Sequence, residues 1–263
     1  MRAFARCFLA VVLLAGQREL PAASPGSQSS GSAEYSILLY HRFGPVATDA
    51  MTVRSKTFRS QLDYLLQHRY PIIPLGALVS FLRGEGPPPP PRSVFITADD
   101  GHESVFTEML PIVRQYHVPV TLFIYPSAIS HASYAMTWEQ LSTLRGVGLF
   151  DIQSHTYWHP NFNTEKRRLS PAAYRAFVAM QLEKPRIVFR EKLGSEADLL
   201  AWPFGIYDDE LMKMAQDAGY VAGFTLERRL VTSRDRIMAL PRFLVSDGTL
   251  GKTFASMLPQ DSP

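Results

Sequence analysis

Short apolar runs alternate along the chain with segments whose apolar residues recur at helical spacing. The run at 36–40 (SILLY) is almost wholly apolar, and the run at 93–98 (SVFITA) is rich in β-branched and aromatic residues. Both patterns are typical of strands buried on both faces of a sheet. By the same criterion we expect further strands at 118–125, 149–153, 199–202, 220–225 and 237–240.

Helices are expected between these strands. Phe58, Leu62 and Leu65 recur at intervals of three and four residues, which places them on one face of a helix. Thr137 is the expected N-cap of another helix, with Gln140 three residues on. Strand-then-helix units in unbroken succession favour a parallel sheet, either open or closed into a barrel. The remaining helical patterns cover 75–82, 105–116, 170–192 and 208–218.

The first residues have the pattern of an export signal. Arg2 and Arg6 precede an apolar run at 7–15, which is too short to span a bilayer comfortably. The small residues Ala22 and Ala23 follow it, as at a signal cleavage site. We therefore expect a signal peptide over 1–23, a flexible leader rich in Ser and Gly over 24–34, and one folded domain over 35–263. An uncleaved membrane anchor is the alternative.

Composition and charge exclude several classes of protein. Of the 263 residues, 46% are apolar and 19% are charged, which argues against a disordered or fibrous chain. Cys7 is the only cysteine and lies in the expected signal peptide, so cleavage would exclude disulfides and thiol chemistry. Residues 1–23 hold three of the 27 basic residues and one of the 24 acidic ones, so the remainder is nearly neutral. Nothing in this balance requires nucleic acid as a partner.

Two adjacent carboxylates end the clearest strand. Asp99 and Asp100 lie within TADDG (97–101), whose glycine lets the chain turn directly after them. Adjacent carboxylates repel each other, so a fold that holds both usually has a cation beside them. Successive side chains of a strand point in opposite directions, so one carboxylate can bind an ion while the other faces a substrate. An acidic pair at a helix N-terminus is the alternative.

Two histidines follow the strand at 149–153. His155 and His159 are four residues apart in HTYWHP (155–160), and on a helical turn this spacing brings both imidazoles within reach of one ion. In a barrel the carboxyl ends of the strands meet at one mouth, where the Asp pair is also expected. Two histidines and an aspartate leave positions open for water and substrate, which is typical of a catalytic metal site.

Two other strand ends carry candidate residues. His41 follows the first strand and would face the same mouth. WPFG (202–205) is aromatic and rigid and lies at the end of another strand. An ordinary loop histidine and a packed turn are the respective alternatives.

Together these motifs resemble the polysaccharide deacetylases of carbohydrate esterase family 4, over roughly 35–245. TADDG is similar to the family's first motif, T-F-D-D-G, and HTYWHP to its second, H-[ST]-x-x-H-P. The resemblance implies a single-domain α/β fold, a distorted (β/α) barrel of about seven strands. It also implies that Asp99 is the catalytic base and that Asp100, His155 and His159 bind one divalent metal ion.

The expected ion is zinc, with cobalt, nickel and iron as alternatives. A site of two histidines and one aspartate accepts all four metals. Such an ion would lower the pKa of a water molecule and polarise the acetyl carbonyl, which is a poor electrophile in an amide.

The later motifs of the family are absent. LLAWPFG (199–205) lacks the arginine of R-x-x-P-Y, which steadies the base, and no histidine follows His159 to match the late L-x-H motif. Arg42 and Arg242 are candidates for the missing arginine. These departures resemble the exported poly-β-1,6-N-acetylglucosamine deacetylases of biofilm matrix, which have a first-strand Y-H motif and W-P-[YF]-G. In that branch the first-strand histidine, here His41, is implied to act as the general acid.

The resemblance implies an N-acetylated polysaccharide as the substrate. The product would be deacetylated N-acetylglucosamine units, formed by a bacterial enzyme exported to the periplasm or the medium, monomeric and without stable membrane insertion after signal cleavage. Peptidoglycan or chitooligosaccharide deacetylation, and a glycan-binding module of the same fold with an impaired site, are the alternatives. The predicted substrate-binding residues are Trp202, Pro203, Phe204, Tyr157 and Arg242.

Overall fold

The computed structural model describes residues 33–260. The predicted signal peptide and residues 24–32 of the predicted leader lie outside the described residues. None of the helices within 33–260 combines the length and the apolar character that a membrane span requires.

Strands and helices alternate through most of the described chain, as the apolar pattern predicts. The strands are β1 Ser36–Tyr40, β2 Arg42–Gly44, β3 Thr52–Arg54, β4 Val94–Asp99, β5 Val120–Ile124, β6 Phe150–Ser154, β7 Leu199–Ala201, β8 Ala222–Phe224 and β9 Phe243–Leu244. The α-helices are α1 Ser55–Gln67, α2 Leu75–Leu82, α3 Leu110–Tyr116, α4 Trp138–Gly146, α5 Phe162–Arg168, α6 Pro171–Leu193, α7 Asp209–Asp217 and α8 Gly251–Ala255. A π-helical turn, Val105–Met109, leads into α3, and a 3-10 turn, Pro203–Gly205, follows β7.

Seven of the strands form one parallel sheet in the order β8-β7-β6-β5-β4-β1-β9, and β2 and β3 form a separate two-stranded ribbon. Every residue of β1, β4 and β5 is buried. Their continuous apolar runs arise because both faces of a parallel sheet are covered. The predicted parallel sheet is confirmed.

The chain that follows β8 closes the sheet into a distorted barrel. Leu240 pairs with edge strand β8, and Phe243 pairs with β1 three residues later. One stretch of chain therefore bridges the two edges of the sheet. Gly223 permits this closure, because a Cβ there would collide with the carbonyl oxygen of Met238. The predicted distorted barrel is thus confirmed.

Alternate strand residues face the inside of the barrel. Ile37, Phe95, Phe123 and Phe224 come from four different strands and belong to one buried cluster. Their sequence neighbours in β1, β4 and β5 belong to a second cluster with residues of the surrounding helices. Phe95 and Asp99 are four residues apart on one strand, so Asp99 faces the same interior, at the carboxyl end of β4.

The predicted strand at 237–240 is wrong. Its first carbonyl and its last N–H both bond to the backbone of Gly223, so the segment folds around one residue of β8 and does not run beside it. The strand in this region is β9, slightly later in the chain.

The N-cap prediction is confirmed, because Thr137 and Gln140 form a capping box on α4.

Candidate active site and metal centre

The carboxyl ends of β1, β4 and β6 meet around one cavity of about 160 Å³. His41 directly follows β1, Asp99 ends β4, and His155 directly follows β6. All three line the cavity together with Asp100 and His159. The structure therefore brings together the five polar residues that the sequence motifs single out.

Asp100, His155 and His159 each direct one ligand atom toward the others, and the three atoms lie within 4.8 Å of one another. Asp100 Oδ1 lies 3.7 Å from His155 Nε2 and 3.8 Å from His159 Nε2. Ligand atoms bound tetrahedrally at about 2.0–2.2 Å from one ion would lie roughly 3.4 Å apart. The trio therefore fits a single divalent ion.

The protonation of the two histidines also suits a metal. His155 Nδ1 lies 2.8 Å from the carbonyl oxygen of Ala201, which can only accept, so the ring hydrogen is on Nδ1 and the Nε2 lone pair faces Asp100. Burial lowers the pKa of His155 to about 3 and also lowers the pKa of His159. Both rings are therefore neutral at neutral pH, which is the form that binds a metal.

The two histidines meet through a loop and not through the helical turn that the spacing suggested. The residues after β6 have bend geometry, with φ of 66° at Thr156 and 62° at His159. The Thr156 hydroxyl accepts a hydrogen bond of 3.2 Å from the His159 N–H. Left-handed backbone is costly for residues other than glycine, and such strain is typical of functional sites.

Arg242 forms a bidentate ion pair with the buried carboxylate of Asp99. Its Nη1 donates to Oδ1 at 2.8 Å and its Nη2 donates to Oδ2 at 2.7 Å. Burial alone would raise the pKa of Asp99, but the charge and hydrogen bonds of the Arg242 guanidinium hold that pKa below its usual range. The Asp99 carboxylate is therefore oriented and ionised, with Oδ2 only 3.7 Å from His155 Nε2.

This contact corrects the prediction that Arg242 binds substrate. Arg242 is fully buried, and its remaining hydrogen bonds go to the Thr225 carbonyl and the Thr97 hydroxyl. Its side chain has no exposed surface that a sugar could contact. The other candidate for the missing arginine, Arg42, pairs with Asp49 at 2.8 Å instead.

His41 projects into the same cavity. Its Nδ1 has no hydrogen-bond partner among residues 33–260. Burial lowers the pKa of His41 below its ordinary value, although the neighbouring Asp99 and Asp100 carboxylates act in the opposite direction. The imidazole is therefore positioned next to both carboxylates.

Of the three aromatic residues predicted to bind substrate, Phe204 is exposed, whereas Trp202 is buried and one face of the Tyr157 ring is covered. Phe204 is 56% exposed, lines the cavity and stands edge-on to His159, with ring centroids 4.6 Å apart. Trp202 lines the cavity but is fully buried, and its Nε1 donates to the Met238 carbonyl. Substrate binding by Trp202 stays a prediction. Lys184 covers the ring of Tyr157 at 4.0 Å.

Pro203 is also buried and is the first residue of the turn that carries Phe204. The cavity rim contains apolar residues that the motifs do not indicate, among them Met51 and Leu226. Leu226 lies just beyond the carboxyl end of β8, so the strand-end rule that found the other positions also applies to it.

Known proteins with similar sequences and folds are deacetylases. The polysaccharide deacetylase family profile matches residues 86–223. A poly-beta-1,6-N-acetyl-D-glucosamine N-deacetylase of Staphylococcus aureus is 25% identical over 201 residues, which cover 74% of this chain and 68% of that protein. The Streptococcus pyogenes deacetylase PplD in complex with acetate has a TM-score of 0.76 at 18% identity, covering 87% of this chain and 100% of that one. IcaB from Ammonifex degensii has a TM-score of 0.75 at 23% identity, and the match covers 86% of this chain and 97% of IcaB.

The family match includes more than half of the chain and contains both the Asp pair and the two motif histidines. The barrel agrees with the folds of the solved deacetylases. The chain therefore belongs to the polysaccharide deacetylase family, carbohydrate esterase family 4, whose members are carbohydrate deacetylases of the hydrolase class.

Proposed function

We propose that this protein is a metal-dependent N-deacetylase that removes acetyl groups from N-acetylglucosamine units of an extracellular polysaccharide, with poly-β-1,6-N-acetylglucosamine as the substrate. One observation carries the proposal: a His₂Asp ligand trio lies in the same cavity as a carboxylate anchored by a buried arginine. The name of the Staphylococcus aureus relative supports the choice of polymer.

Asp100, His155 and His159 would hold one divalent ion, with zinc as the expected metal. When bound, the ion supplies a Lewis acid that polarises the acetyl carbonyl and makes water more acidic. The trio occupies three positions, which leaves room for water and substrate as in catalytic metal sites.

Asp99 would act as the general base. The two bonds from Arg242 use one lone pair on each carboxylate oxygen, so each oxygen keeps a second lone pair. Oδ2, which lies on the side of His155, is the oxygen that would take a proton from the attacking water. Arg242 would fix the direction of this lone pair and keep the carboxylate ionised.

His41 would donate a proton to the departing sugar amine. Among residues 33–260 no histidine follows His159, and His41 lines the cavity on the β1 side. The products would be acetate and a free amine in the polymer. The exposed ring of Phe204 offers an apolar face for the sugar, and the backbone N–H near it would stabilise the oxyanion.

Export and a monomeric state complete the proposal. The N-terminal sequence pattern supports export to the periplasm or medium of a bacterial cell. The N-acetylated polysaccharide would be the macromolecular partner.

An acetate-release assay tests the function directly. The purified protein would be incubated with β-1,6-linked and β-1,4-linked N-acetylglucosamine oligomers, with and without a chelator. We expect acetate from the β-1,6 oligomers, loss of release with the chelator, and recovery after zinc is added. Release that persists with the chelator would remove the metal from the proposal, and release from β-1,4 oligomers alone would reassign the substrate.

A further inference from the structure

A second cavity of about 260 Å³ lies beside the reaction cavity, and the proposed function does not use it. Its lining includes Arg42, Val46, Asp49, Thr52 and His102, and we call it the Arg42 pocket. The ribbon β2-β3 lines the Arg42 pocket, whereas the reaction cavity is lined by His41 and Met51, which directly precede the two ribbon strands.

The two cavities share walls along the chain. His41 lines the reaction cavity and Arg42 lines the Arg42 pocket, and the same holds for Met51 and Thr52. Arg42 and Thr52 are themselves paired across the ribbon. Adjacent Cα atoms are about 3.8 Å apart, so the two linings meet along the backbone at these two pairs of residues.

The reaction cavity is too small for a polymer segment. Its volume of about 160 Å³ is below the range of roughly 300–1,000 Å³ of pockets that enclose a whole small ligand. It suits one acetamido group and part of a ring. The sugar next in the polymer must therefore lie against the surface immediately outside it.

The Arg42 pocket has the mixed chemistry that a sugar requires. Arg42 and Asp49 form an exposed ion pair of 2.8 Å, and the Thr52 hydroxyl donates to Asp49 at 2.8 Å. The Ser104 N–H donates to His102 Nδ1, so the ring hydrogen of the neutral imidazole is on Nε2 as a further donor. Sugar hydroxyls can pair with both the donors and the acceptors of this set.

An apolar face accompanies these polar groups. Val46 is 63% exposed at the edge of the Arg42 pocket. Among residues 33–260 ten large apolar side chains are exposed, and four of them line the two cavities: Val46, Met51, Phe204 and Leu226. Exposed apolar side chains gathered around two neighbouring cavities are typical of a ligand-binding surface.

We propose that the Arg42 pocket is a subsite for the sugar unit adjacent to the one that is deacetylated. Arg42, Asp49 and His102 would hydrogen-bond its hydroxyl or acetamido groups, and Val46 would pack against its ring. The identity of the ligand as N-acetylglucosamine rests on the proposed function. The presence and lining of the Arg42 pocket do not depend on the proposed function.

Binding and turnover test this subsite separately. In an Asp99→Asn background, the Kd of a β-1,6-linked N-acetylglucosamine pentamer would be measured by calorimetry. We expect Val46→Asp and Arg42→Gln each to weaken binding about tenfold, which is about 1.4 kcal/mol. Ile187→Asp and Arg145→Gln change exposed residues of α6 and α4 and serve as matched controls, with no expected effect. Thermal melting would verify that each variant is folded.

The same substitutions in the wild-type background would be assayed by acetate release from the pentamer. We expect kcat/KM to fall about tenfold through KM, with kcat little changed. A fall in kcat with unchanged KM and Kd would show that Arg42 acts on His41 and would overturn the subsite. Pentamer binding that the two pocket substitutions do not weaken, or no pentamer binding at all, would also overturn it. Weakened binding by a protein that releases no acetate would support the subsite and reject the proposed reaction.

Discussion

Arg242 holds both carboxylate oxygens of Asp99 by two parallel hydrogen bonds, although the two residues are 143 positions apart in the chain. Asp99 ends β4, whereas Arg242 lies between the two pairings that close the barrel, at Leu240 and Phe243. Barrel closure and the orientation of the Asp99 carboxylate therefore depend on the same short segment. The arginine beside Asp99 therefore comes from a different segment than 199–205, which contains no arginine.

Replacement of Arg242 should impair both stability and turnover. Arg242→Met would leave a buried carboxylate unpaired, which costs roughly 3–5 kcal/mol of unfolding free energy. Denaturant unfolding measures this loss, and Arg145→Met on the surface of α4 is the matched control. The double variant Arg242→Met/Asp99→Asn should regain most of the stability, because no buried charge remains. A double variant as unstable as Arg242→Met would argue that the arginine acts through packing.

Arg242→Lys separates charge from geometry. A lysine keeps the positive charge but cannot form two parallel bonds to a carboxylate. If the two hydrogen bonds from Arg242 orient Asp99 as the base, kcat of Arg242→Lys should fall while metal content and KM stay near their wild-type values. Wild-type kcat in this variant would limit the role of Arg242 to its charge.

The metal ligands and the base should respond differently to substitution. Asp100→Asn and His155→Ala should reduce zinc content and acetate release together, because each removes one of three ligands. Asp99→Asn should retain zinc and lose turnover, because the amide cannot accept the proton. Zinc content by elemental analysis, measured beside the rate, distinguishes the two classes. An active Asp99→Asn enzyme would exclude Asp99 as the base.

His41→Ala should lower kcat by about 10²–10⁴-fold, the range for loss of a general acid. Zinc content should not change, because His41 lies outside the ligand trio. The exposed His117 offers a control substitution at another histidine of the described chain. A loss of less than threefold would assign proton donation to another group.

Gly223→Ala should destabilise the barrel at its closure. The new Cβ would collide with the Met238 carbonyl oxygen and with Trp202 Nε1, and overpacking of this kind costs typically about 1–3 kcal/mol. Gly146 is the matched control, since a Cβ there meets no atom within 4 Å and the residue lies in α4. Gly146→Ala should leave stability unchanged or raise it slightly. Equal unfolding midpoints for the two variants would contradict the close approach at Gly223.

Local patterns in the sequence predicted the strands and helices whose apolar residues repeat over several positions. The runs that became β1, β4, β5 and β6 are continuous because both of their faces are covered. Short elements such as β2, β3 and α8 have too few residues for a period to be visible. The segment at 237–240 is apolar but wraps around Gly223, and its hydrogen bonds depend on a neighbour 14 or more positions earlier in the chain.

The sequence by itself determined which polar residues gather at the mouth, because the Asp pair and the two histidines lie at or just beyond the carboxyl ends of buried strands, which must meet. Only the tertiary structure decided which arginine supports Asp99. Arg42 and Arg242 are equivalent as residue types, and the choice depends on which of them the barrel closure buries beside the carboxylate. The same holds for the aromatic residues of WPFG, since burial of Trp202 and exposure of Phe204 result from packing between distant segments that no local pattern contains.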